Sequence, residues 1–130
     1  MAYRIEWRRG GAIKRFSGTV TFEDVLRSEQ SISGSIHFKD LRYVISDYSE
    51  AKYEGITETQ RADVNALRIG GFFINRNIKY AFVMANPLVE QHIQDAIKGG
   101  EMLYQTRVFR HFAQAAQWVG LNLSQAPDTG

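Results

Sequence analysis

Leu41–Ser49 reads LRYVISDYS, and this stretch decides the fold. Tyr43, Val44 and Ile45 stand side by side and give way to polar Ser46 and Asp47, the pattern of a strand covered on both faces that breaks at a ligand-facing edge. Ile78–Ala85, IKYAFVMA, repeats the design and runs into Asn86-Pro87. Asparagine there is a helix cap, and proline at the first helical position loses no hydrogen bond.

Between these strands, Thr57 with Gln60 forms a capping box ahead of a helix from about Glu58 to Ile74. Val64, Leu67 and Ile74 can face a sheet, with Ala66 and Ile69 at the margins. Gly70 and Gly71 interrupt the pattern at about 1 kcal/mol each relative to alanine. Close packing on a strand or an early helix end explains them; a hinge, or a pocket wall lined by Phe72 and Phe73, is the functional alternative. Beyond Pro87, the residues Leu88, Val89, His92, Ile93, Ala96 and Ile97 recur at helical spacing until Lys98 and Gly99-Gly100.

Upstream, Tyr3, Ile5 and Trp7 alternate with Arg4, Glu6 and Arg8 as in a half-buried strand. Gly10-Gly11 supplies the positive φ angles of a tight turn, Ala12–Ser17 returns as the second strand of a hairpin, and Gly18 ends it. Thr21 and Asp24 resemble a capping box and open a short helix, TFEDVLRSEQSI. Downstream, Leu103–Val108 reads as a last strand, with charged Arg107 marking an edge that can pair with a second copy as a homodimer. A helix from about Arg110 to Val119 ends at Gly120, and Gln125–Gly130 reads as a disordered tail behind one domain over residues 1–124. The order ββαβαβαβα predicts an α/β domain: a mixed, mostly parallel sheet of about five strands with an N-terminal antiparallel hairpin and about four helices.

At 130 residues and 44% hydrophobic, the chain has the size of one domain with a single core. The absence of cysteine excludes disulfides, zinc–thiolate sites and a cysteine nucleophile. The first residues alternate charge with aromatics, which leaves no apolar stretch for a signal peptide. No later run approaches the roughly 20 apolar residues that span a bilayer, so a cytoplasmic location is expected. The net charge is +2, with Arg4, Arg8, Arg9, Lys14 and Arg15 gathered near the N-terminus. Such a patch can meet phosphates or the periphery of an anionic membrane. The plainer expectation is an exposed hairpin carrying its charges outward, with no nucleic-acid partner. His37, His92 and His111 are too far apart for a metal site, and His92 is expected at a core boundary; neither metal nor cofactor is predicted. Ser49, His92 and Asp47 can be written as a triad, but the serine has no nucleophile elbow.

The segments FSGTVTFEDV (residues 16–25), LRYVISDYS, IKYAFVMANP and TRVFRHFAQAAQWV (residues 106–119), in this element order, resemble the SpoIIAA-like family of bacterial proteins, relatives of the STAS domain. The resemblance covers almost the whole chain, and its motifs specify fold better than activity. It implies a small mixed sheet flanked by helices and a non-enzymatic module that binds a protein partner, a nucleotide or other small anion, or a lipid-like ligand. In anti-anti-sigma members a serine at the start of the helix after the central strand is phosphorylated by a partner kinase. Here that region reads EGITETQR, with Thr57 and Thr59 but no Asp-Ser-Ser-Gly run. Similarity in architecture to CRAL-TRIO lipid-transfer domains implies, as an alternative, a carrier or membrane-surface protein for an apolar ligand.

Ligands of open α/β sheets gather beyond the carboxyl ends of the parallel strands. That rule singles out Asp47, Tyr48, Ser49 and Asn86 as ligand-binding candidates. Thr57 and Thr59 begin a helix whose free donors and positive dipole end favour phosphate or another anion. The plainer expectation makes Asn86 and Thr57 caps and Asp47 a loop hydrogen bonder.

Overall fold

The computed structural model describes residues 2–53 and 57–123. The expected tail at residues 125–130 and the first three residues of the EGITETQR segment, 54–56, lie outside the described residues. Five strands and four helices follow one another as β1 (Tyr3–Arg8), β2 (Gly11–Val20), α1 (Phe22–Ser33), β3 (Tyr43–Tyr53), α2 (Glu58–Ile74), β4 (Lys79–Val83), α3 (Pro87–Lys98), β5 (Gln105–Phe109) and α4 (Phe112–Val119), with a 3-10 turn at Phe38–Asp40. The strands lie side by side in chain order, β1 antiparallel to β2 and the remainder parallel. This is the mixed α/β sheet that the sequence predicts. No helix among the described residues is long and apolar enough to cross a membrane.

Strand alternation sorts the core into layers. Ala12, Val44 and Tyr80 join Ile32, Phe38 and Tyr104 on one face of the sheet. Further along that face Phe16 and Val20 meet Val25 of α1 and Val64 of α2. On the other face Ile13, Ile45, Ala81 and Val83 pack against Ala115 of α4, with Phe112 and Trp118 at the border. Covering both faces explains the unbroken apolar run at Tyr43–Ile45. All three residues are buried.

The helix starts are those of the sequence. Thr21 and Asp24 cap α1 reciprocally, Thr57 and Gln60 do the same for α2, and the Asn86 side chain accepts from Leu88 N and Val89 N ahead of Pro87. His92 is exposed on α3, not at a core boundary. The hairpin turn places only Gly10 at positive φ, 75°. Its neighbour Gly11 serves a different need: the Tyr43 ring of the adjacent strand lies where a Cβ would stand. Gly71 has a similar explanation, since a Cβ there would lie 2.8 Å from Phe38 Cζ and 3.2 Å from the Tyr104 hydroxyl. Close packing therefore accounts for Gly71, and the helix continues through it to Ile74.

The middle of the sheet departs from expectation in one respect. β3 does not break at Ser46–Asp47 but runs to Tyr53, where Glu50–Tyr53 pair with Ser17–Val20 of a β2 that passes through Gly18. β4 has ended by then, its last pair being Asp47 with Val83. The turn to polar residues marks the point where β2 and β3 leave the shelter of their neighbours, so that Ser49, Glu50 and Lys52 face solvent.

Candidate functional site

The carboxyl ends of the strands carry the residues singled out in the sequence, and each is engaged locally. Asp47 is 7% exposed. Its Oδ1 accepts from Ser49 N at 3.0 Å and Ser49 Oγ at 2.7 Å, and its Oδ2 accepts from Arg15 Nη1 of the adjoining strand at 3.3 Å. The Arg15 guanidinium in turn lies 4.8 Å from the centre of the Phe112 ring. Asp47 and Ser49 are thus brought together, with Arg15 as a third member. Tyr48 is not part of that group, because neighbouring residues of a strand point to opposite faces. Its ring stacks on Phe16 at 4.3 Å, within 3° of parallel, on the α1–α2 side.

Asn86 Oδ1 accepts from Leu88 N at 3.0 Å, a cap like Thr57, whose Oγ1 accepts from Gln60 N at 3.1 Å while Gln60 Oε1 accepts from Thr57 N at 2.9 Å. Thr59 is exposed on the first turn of α2. The strand order never reverses along the sheet, so the crevice that such a reversal opens in doubly wound folds has no counterpart here.

Phe72 and Phe73 separate. Phe72 is half-buried and edge-on to Tyr104, ring centres 5.2 Å apart, whereas Phe73 is exposed. A recess between α2 and β5, lined by Arg68, Ile69, Tyr80, Leu103, Tyr104 and their neighbours, has a volume of about 10 Å³, enough for one water. Neither phenylalanine lines it.

The densest charge in the protein is elsewhere, inside the α1–α2 face. Lys14 of β2 is 0% exposed and Glu29 of α1 only 2%. Lys14 Nζ donates to Glu29 Oε1 at 2.7 Å and to Ser28 Oγ at 3.3 Å. Arg68 of α2 donates to the same Glu29 oxygen from Nε at 2.9 Å and Nη2 at 2.8 Å. Phe16 beside Lys14, and Tyr80 and Phe82 beside Arg68, present ring faces to the two cations. Burial by itself would raise the Glu29 pKa, but Arg68 and Lys14 overrule it and hold it at about 2. Burial lowers the Lys14 pKa, and Glu29 only partly offsets this. Ser46, paired in register with Lys14, and Tyr104 have buried hydroxyls without a hydrogen-bond partner among the described residues.

Sequence inspection missed this trio by assigning Lys14 to an outward-facing basic hairpin. The signal was present in the phase. Lys14 shares its strand parity with Ala12 and Phe16, Glu29 falls on the inward stripe with Phe22, Val25 and Ile32, and Arg68 stands one turn beyond Val64. Two cations and one carboxylate, of which only the Arg68 side chain reaches solvent, at 11% exposed, join β2, α1 and α2. With Lys14 sealed in, the trio offers an incoming substrate neither nucleophile nor base. Among the described residues no group of histidine, aspartate or glutamate could hold a metal ion.

No protein-family model and no curated protein sequence matches the chain. Solved structures do match. The anti-sigma factor antagonist SpoIIAA in its unphosphorylated form superimposes with a TM-score of 0.61 at 13% identity, over 89% of this chain and 94% of its own. The phosphorylated form of the Bacillus cell fate determinant SpoIIAA gives 0.59 at 14% identity over 91% and 99%. An uncharacterised Shewanella loihica protein with a SpoIIAA-like fold gives 0.58 at 15% identity over 91% and 92%. The chain has the SpoIIAA-like fold.

Proposed function

We propose that the protein is a non-enzymatic regulatory module that acts by binding a protein partner, and that the start of α2 is where this binding is controlled. The observation that carries this is the exposed pair Thr57 and Thr59 at the head of the helix following the central strand β3, the place where the resemblance puts a phosphorylated serine. The two threonines are not equivalent. Thr57 Oγ1 is occupied as the cap, and a phosphate there would disrupt the box. Thr59 stands free of that box, and a phosphate on it would lie against the positive end of the α2 dipole. Asp47, Tyr48, Ser49 and Asn86 then serve the shape of the surrounding surface more than chemistry, since the Asp47 carboxylate, the Ser49 hydroxyl and Asn86 Oδ1 are already engaged within the chain.

Treating the purified protein with ATP and an extract of the cells that make it, followed by phosphosite mapping, tests the proposal. Phosphate is expected on Thr59, and a captured partner should discriminate Thr59→Glu from Thr59→Ala. An unmodified protein whose two variants retain the same partner would contradict it. A carrier of an apolar ligand has less support, because the enclosed α2–β5 recess is no larger than a water and the larger groove beside β5 and α4, lined by Phe109, Arg110, Gln114 and Trp118, lies open to solvent.

A further inference from the structure

At the opposite end of the molecule, where the parallel strands begin, several exposed groups meet. Arg42 N donates to Gly10 O and Lys79 N to Arg42 O, which fixes the hairpin turn, the approach to β3 and the approach to β4 side by side. The Asn75 side chain, just past α2, donates to Phe38 O, Lys39 O and Leu41 O, drawing the 3-10 turn against the end of α2. On this end Ile36 is 86% exposed, Phe73 75% and Ile74 71%. Near them stand exposed Lys39, Arg42 and Arg76, with Arg9 on the adjoining turn; exposed Asp40 lies beside Lys39, and exposed Glu101 precedes β5 at the same end.

Arg8, Lys14, Arg15, Arg27, Arg68 and Arg110 are each paired with a carboxylate. Arg42 Nη1 donates to Leu41 O at 3.0 Å, and the Arg76 guanidinium lies 5.5 Å from the centre of the Phe72 ring. Lys39, Arg42 and Arg76, like several other surface cations, form no ion pair among the described residues. Nor are they compensating helix dipoles from within, because the last turns of α1, α2 and α4 contain no basic residue. Large apolar side chains standing clear of the surface beside cations that no carboxylate neutralises suit a partner that is flat, negatively charged and apolar beneath. A nucleic acid would satisfy the charges but leave Ile36 and Ile74 without a role.

We propose that this end docks on an anionic lipid bilayer, with Ile36, Phe73 and Ile74 entering the interface and Lys39, Arg42 and Arg76 at the level of the headgroups. The surface lies away from the start of α2, so membrane docking and partner control stand or fall separately. Flotation with phosphatidylcholine vesicles, with and without phosphatidylserine, is the test. Binding is expected only with phosphatidylserine and should vanish near 1 M salt, where the screening length falls to about 3 Å. Each cation removed should weaken binding roughly fivefold, so Lys39→Glu/Arg42→Glu/Arg76→Glu should lose at least about a hundredfold. Phe73→Ser/Ile74→Ser should lose roughly tenfold or more at low salt. Lys52→Glu, at the other end, should bind as the wild type does. Every substituted side chain is exposed, and an unchanged thermal midpoint verifies folding. Absence of wild-type binding, equal binding to phosphatidylcholine alone, or indifference to the charge reversals would each overturn the proposal. Charge-dependent binding that ignores the Phe73/Ile74 change would overturn it too, in favour of a polyanion surface.

Discussion

Two sets of cations divide the molecule. Lys14 and Arg68 are enclosed around Glu29 on the inner face of the sheet, while Lys39, Arg42 and Arg76 stand unpaired in solvent where the strands begin. Lys14 cannot meet an outside partner and Arg68 shows solvent only its edge; their removal from water is supportable only because one carboxylate accepts from both. The outer set is exposed, and among the described residues only Arg42, on Leu41 O, and Arg76, over the Phe72 ring, touch the chain through their charged groups. Charge near the core and charge at the surface are therefore different properties of this chain, although the sequence scatters them alike.

The largest effect that would sharpen this contrast comes from Glu29→Ala. It leaves two buried cations without an anion and should cost about 3–5 kcal/mol, read as a shifted midpoint in urea or heat. Lys14→Met leaves the neutral Glu29–Arg68 pair and should change stability by no more than about 1 kcal/mol. Equal losses from both substitutions would break the distinction. The same carboxylate gives a pH signature. Because its folded pKa is depressed, the stability it supplies is fully present above about pH 4.5 and is lost as the pH falls through about 2, amounting to about 3 kcal/mol. Glu29→Gln should abolish that part of the acid transition.

Smaller effects separate neighbouring residues of α2. Gly71→Ala presses a methyl group into Phe38 and the Tyr104 hydroxyl and should cost about 1–3 kcal/mol. Gly70→Ala meets nothing within 4 Å and should stabilise the helix by up to about 1 kcal/mol. Thr57→Ala removes a cap worth about 1 kcal/mol, measurable as a lowered melting midpoint. Smallest of all, charge reversal at Lys39 or Arg42 should stay within about 0.5 kcal/mol, which is what assigns those residues to binding and not to folding.

The fold was legible because its punctuation is local. The Thr21, Thr57 and Asn86 caps lie in the residues that form them, and the covered strand announces itself in Tyr43–Ile45. The end of β3 was not legible, since the polar residues after Ile45 reflect exposure of a two-stranded extension, and exposure depends on where β4 stops. The candidate site was legible only as positions. That Asp47 is consumed by Arg15 and Ser49, or that Tyr48 faces the opposite layer, depends on strand pairing and side-chain hydrogen bonding. The buried trio required three elements to be phased together, which residue type alone does not do.

The interior is expected to retain no ligand, and binding to take place at the two exposed ends. Native mass spectrometry of the purified protein after a high-salt wash tests this most directly. The predicted spectrum contains the mass of the chain, alone or with phosphate, and no small molecule. A mass excess other than phosphate that survives the wash and disappears on denaturation would contradict it and place a carried ligand inside the fold.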